Sequence, residues 1–82
     1  MKNKILLRKE AGNVASFFGF EGEGVSEMRI DTEKKLVSFF YKDNFHYADM
    51  LVEDVWVEIY DSKTIVNFKK NGFIISIPLD RD

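Results

Sequence analysis

Asn71-Gly72, set between two β-prone runs, constrains this chain more than any other feature. Both central positions of a tight type I′ turn need positive φ, and Asn-Gly is the pair that reaches it most easily. A two-residue loop there pairs Phe68 with Ile75, Val66 with Ile77 and Thr64 with Leu79. Val66, Phe68, Phe73, Ile75, Ile77 and Leu79 then share one face, so turn chemistry and hydrophobic pattern specify the same register. Pro78 falls on the opposite face. It has no N–H for a ladder, which marks an edge or a strand terminus.

The preceding run, 55–60, alternates Val55, Val57 and Ile59 with Trp56, Glu58 and Tyr60. A turn centred on Ser62-Lys63 pairs Ile59 with Val66 and Val57 with Phe68, which continues the apolar face. Trp56, Glu58 and Tyr60 then stand on the other face beside Lys69, Asn67 and Ile65. The outcome is a three-stranded antiparallel meander. Its core wall is Phe68, Phe73, Ile75 and Ile77, opposite Val57, Ile59, Val37 and Phe39.

A second hairpin lies upstream. Segments 25–31 and 36–42 flank a loop centred on Glu33-Lys34, which aligns Ile30 with Val37 and Met28 with Phe39. The run 36–41 is apolar on both faces, as a central strand is. Residues 4–8 read as a strand. Residues 14–20, rich in Phe and followed by glycines, read as another, with a short helix over 11–18 capped by Asn13 as the rival. A short strand is expected at 45–47, then a loop or helical turn at 49–54. Eight Phe, three Tyr and one Trp among 82 residues, with abundant Val and Ile, favour pleated sheet. The expectation is a single small all-β domain. Its five to seven short antiparallel strands close into a barrel or curled sheet of SH3 or Sm size, with one short helix as the variant.

Several functions are excluded or weakened. With no Cys there is no disulfide framework, thiolate metal site or thiol nucleophile. His46 is the only His, so two-histidine metal motifs are impossible, and no nucleophile–base signature accompanies it. Gly19-Phe20-Glu21-Gly22-Glu23-Gly24 lacks the Lys-Ser/Thr of a P-loop and the glycine order of a dinucleotide site, and reads as a flexible turn. The opening residues contain only three consecutive apolar positions, short of a signal peptide, and no run approaches a membrane span. A soluble cytoplasmic protein without cofactor or metal is expected.

Two features point to a surface that binds. Residues 43–61 carry Asp43, Asp49, Glu53, Asp54, Glu58 and Asp61 with no Lys or Arg. Trp56 and Tyr60 leave the expected core face, and such rings are favoured at interface hot spots. The lead expectation is a non-enzymatic protein–protein interaction module. It binds a partner with a basic surface through an aromatic sheet face and acidic rim: Trp56, Glu58, Tyr60, Lys69, Asp49, Glu53 and Asp54. Size and acidic composition associate it with phage or mobile-element accessory proteins, inhibitors among them. Single-stranded nucleic-acid binding on Trp56, Tyr60, Phe40, Lys69 and Lys70 is the alternative, opposed by a net charge of -2. A small ligand held between protomers of a homo-oligomer is the third reading.

Overall fold

A computed structural model describes residues 4–79. Strand content of 55% against 13% helix settles the class as mostly β. The strands are β1 (Lys4–Leu7), β2 (Val25–Asp31), β3 (Leu36–Tyr41), β4 (His46–Leu51), β5 (Asp54–Ile59), β6 (Thr64–Lys70) and β7 (Phe73–Pro78); helix α1 (Ala11–Phe17) lies between β1 and β2. They form two antiparallel sheets, β1-β2-β3-β4 and β5-β6-β7, and not a closed barrel, the first of the two forms expected. Within each sheet every strand pairs with its successor, but β4 and β5 do not pair, so the chain makes two successive meanders.

The division occurs at Val52-Glu53. The Val52 amide donates to the Lys35 carbonyl of the first sheet at 2.9 Å, and the Glu53 amide donates to the Lys69 carbonyl of the second at 2.8 Å. One extended segment thus leaves one sheet and enters the other, a corner that keeps both ladders satisfied. It also corrects the expectation for 45–54. The strand begins at His46, runs to Leu51, and β5 starts at Asp54, leaving no room for a helical turn.

Both expected hairpin registers with well-specified turns are present: Phe68 faces Ile75, Val66 faces Ile77, Met28 faces Phe39 and Ile30 faces Val37. Asn71 and Gly72 have φ of 54° and 83°, as a type I′ turn demands. Between β5 and β6 the register differs by two residues from expectation, with Val57 facing Val66 and Ile59 facing Thr64. The Tyr60 amide closes the turn on the Lys63 carbonyl, so it centres on Asp61-Ser62 rather than Ser62-Lys63. A slip of two keeps every side chain on its face, which is why hydrophobic pattern alone did not separate the two registers.

One core joins the sheets and the helix. Leu7, Met28, Ile30, Val37, Phe39 and Met50 meet Val66, Phe68 and Ile77, with Ala11, Val14 and Ala15 of α1 and Val52 of the corner. Residues 14–20 are therefore not a strand. Helix α1 starts at Glu10 without a side-chain cap, and Asn13 instead donates to the Glu10 carboxylate. Its stability comes from burying Ala11, Val14 and Ala15, a tertiary term that local propensity does not contain. The glycine segment that follows is docked, not free: a Cβ on Gly22 would collide with Ser16 Oγ and the Gly12 carbonyl of the helix. The expected core wall is also shorter than the hydrophobic pattern implied. Phe73, Val57 and Ile59 are exposed by 54%, 40% and 80%. Among the described residues no helix is long and apolar enough to cross a membrane.

Candidate functional site

The outer face of the three-stranded sheet is read directly from its register. Asp54, Lys69 and Ile74 form one row, Trp56, Asn67 and Ser76 the next, and Glu58, Ile65 and Pro78 the third. At its centre Asn67 is buried to 3% exposure although it faces away from the core. Its amide nitrogen donates to Glu58 Oε1 at 3.2 Å, and its carbonyl oxygen accepts from the Ser76 hydroxyl at 2.6 Å. A single side chain thereby links all three strands. Half-buried Trp56 is its direct cross-strand neighbour on β5, on the same face as these bonds. Trp56 thus stands beside a small polar cluster on a partly open surface.

Of the seven residues expected to form the site, this face gathers Trp56, Glu58, Asp54 and Lys69. Tyr60 is exposed at the tip of the β5–β6 hairpin. Glu53 braces a turn instead. Its carboxylate accepts the Asn71 amide at 3.0 Å and holds Asn71-Gly72 in place. Asp49 lies apart, on β4 of the other sheet, where it accepts the Ser38 hydroxyl at 2.6 Å and meets His46 Nε2 at 2.7 Å. The Ser38 hydroxyl, and after it His46, hold the Asp49 carboxyl below the usual carboxylate range. The acidic rim is therefore divided, with Asp54, Glu58 and Asp61 along β5 and its turn and Asp49 on a separate surface. Sequence alternation reports the face of a strand but not the sheet to which that strand belongs.

The Ser38–Asp49–His46 arrangement does not activate a nucleophile. Ser38 and His46 both bond Asp49 Oδ1, so the serine proton points at the carboxylate and not at the imidazole that a base would supply. Among the described residues no three His, Asp or Glu side chains come together as a metal-binding group.

Sequence reasoning missed a second organised surface, the outer face of the four-stranded sheet. Arg29 lies 4.0 Å over the Phe40 ring, pairs with Glu27 at 2.6 Å and donates to Asn44 Oδ1 at 2.7 Å. Beside it a depression of about 290 Å3 is lined by Lys4, Leu6, Arg8 and Glu27. Phe40 and Trp56, grouped in the nucleic-acid reading, stand on different sheets. Arg29 alternating with core-facing Met28 and Ile30 was the available signal for an outward cation.

The second half of β5 gives the remaining geometry. Along its inner face Val55 is half-buried, Val57 more open and Ile59 almost bare. Six of the ten exposed large hydrophobic residues among those described belong to this one sheet or its flanks: Val57, Ile59, Tyr60, Phe73, Ile74 and Leu79. That share places the apolar excess here and not on the larger sheet. No protein-family model, curated protein or solved structure matches the chain.

Proposed function

We propose that the chain is a non-enzymatic interaction module that grips another protein with the β5–β6 hairpin. The observation that supports this most directly is the exposure gradient from Val55 to Ile59 on a face whose pattern is that of a core. An 80% exposed Ile beside exposed Val57 and Tyr60 is the composition of an interface centre waiting for cover. Asp54, Glu58 and Asp61 along the same strand and turn form an acidic rim, which favours a partner presenting apolar side chains ringed by Lys or Arg. Such a module suits the small accessory or inhibitor proteins with which size and composition associate it.

The experiment is a quantitative affinity purification from the source cell with wild type, Ile59→Asp, Glu58→Lys and Phe45→Ala. Phe45 is also largely exposed, at 67%, but lies outside the three-stranded sheet. We expect the specifically captured protein to be lost with Ile59→Asp, weakened with Glu58→Lys and retained with Phe45→Ala; Ile59→Asp and Phe45→Ala should keep the wild-type melting temperature, whereas Glu58→Lys, which removes the acceptor of the Asn67 bond, should melt lower. Identical capture by all four proteins overturns the assignment to this hairpin.

A further inference from the structure

We infer that β7 is a homodimerisation edge, and that two copies of this chain join their three-stranded sheets by antiparallel β7–β7 pairing about a two-fold axis at Ile75. The strand is one of the two edges of the β5-β6-β7 sheet. An exposed edge is normally protected by charge, proline, shortness or a covering element, and the one proline here, Pro78, blocks only the last residue of the strand. This one is six residues long and has no charged residue from Phe73 to Pro78. Ile74 is 58% exposed and Ser76 is open to solvent, so no described element covers it.

Charge selects the occupant. A two-fold axis brings each residue of an edge close to the same strand of the copy, so a charged edge meets its own charge. Of the four edges, β1 carries Lys4, β4 carries Asp49, and β5 carries Asp54 and Glu58; β7 alone is neutral. It therefore brings no charge of its own against its copy in any antiparallel register.

Hydrogen-bond parity selects the register. The Leu79 amide donates to the Thr64 carbonyl at 2.8 Å, and Val66 faces Ile77 and Phe68 faces Ile75 in the same phase. Phe73, Ile75 and Ile77 therefore aim their backbone groups at β6, and Ile74, Ser76 and Pro78 aim theirs outward. An axis at Ser76 would set Ile74 opposite Pro78, which has no N–H to give. An axis at Ile75 sets Ile74 opposite Ser76 of the second copy in both directions. All four outward groups of Ile74 and Ser76 are then used, and Pro78 falls beyond the ladder. Phe73, half exposed beside Phe17, gains Ile77 of the copy as its cross-strand neighbour. A single strand pair is small against the roughly 1,200–2,000 Å2 of stable interfaces, so the dimer exchanges with monomer as concentration changes. This contact is independent of the hetero-partner surface, which uses the opposite edge of the sheet.

The test combines sedimentation velocity with cysteine cross-linking. Wild type should pass from monomer to dimer as concentration rises. Ile74→Lys, which sets two like charges near the axis, should raise the dimer dissociation constant by about tenfold or more. Because the chain has no native Cys, Ile75→Cys supplies a unique thiol. At a non-hydrogen-bonded antiparallel position it faces its own copy at disulfide distance, and it should oxidise to a covalent dimer. Ile59→Cys, exposed at the other edge, should cross-link far more slowly. A wild type that stays monomeric up to millimolar concentration overturns the proposal. So does a dimer that Ile74→Lys leaves intact, or one that Ile59→Cys traps as readily as Ile75→Cys.

Discussion

The two sheets use similar residues to opposite ends. In the four-stranded sheet the inner face is covered over its whole length: Leu7, Met28, Ile30, Val37 and Phe39 are all fully buried. Its outer face is tied down by Arg29 with Glu27, Asn44 and Phe40, and by Asp49 with Ser38 and His46. In the three-stranded sheet only Val66, Phe68 and Ile77 of the inner face are fully enclosed, and the strand ends run past the core. The difference shows that an apolar alternating pattern marks one face of a strand without reporting how far along that face the core extends. The larger sheet is the scaffold, and the smaller one carries the unsatisfied surface.

A matched pair of isoleucines is the most direct way to break this contrast. Ile30→Ala, in the scaffold, should lower unfolding stability by about 2–5 kcal/mol, whereas Ile59→Ala should change it by about 0.5 kcal/mol or less. Denaturant titration of the two variants measures both; equal losses would mean that β5 is buried in solution. Trp56→Ala should fall between them, at about 2 kcal/mol, because it removes a half-buried ring beside the Asn67 bonds without opening the core. Phe68→Ala, at about 3–5 kcal/mol, is the reference for a true core ring, and a Trp56→Ala melt as low as that one would move Trp56 into the core. Gly72→Val should remove about 1–2 kcal/mol by forcing a β-branched residue to positive φ, visible as a lower thermal midpoint. The smallest effect is electrostatic. The Asp49 carboxyl titrates below its unfolded value, so its stabilisation is complete above about pH 3.9 and disappears as pH falls through the lower folded value. Asp49 is about half exposed, so the contribution is about 1 kcal/mol at most. Asp49→Asn should flatten the acid limb of a melting-temperature profile relative to wild type, and an unchanged limb would show that the Ser38 and His46 contacts do not persist in solution.

What was legible in the sequence follows from how far each signal reaches. The β2–β3 and β6–β7 registers were readable because short turns at Glu33-Lys34 and Asn71-Gly72 fix pairing locally. The β5–β6 register was not, since a shift by two satisfies the same alternation. Helix α1 was misjudged because Glu10 provides no cap and Phe17 and Phe18 mimic a strand; its cause is burial of Ala11, Val14 and Ala15 under residues distant in the chain. The candidate site was half legible. Trp56, Glu58, Asp54 and Lys69 share a face as expected, but the sheet change at Val52-Glu53 separates Asp49 from them. No property of Val52 or Glu53 as residue types announces that change.

The corner at Val52-Glu53 also orders the events of synthesis. Every partner in the first sheet is encoded before residue 52, and each strand bonds its nearest predecessor, so this sheet needs nothing made later to complete its ladder. Its apolar side does need something later: Phe68, Val66 and Ile77 arrive only with the last third of the chain. A nascent chain that has reached residue 52 therefore holds every strand of that ladder but none of the second sheet's share of the core. During translation that interval is when the protein is most exposed to chaperone capture and to association with other unfinished chains.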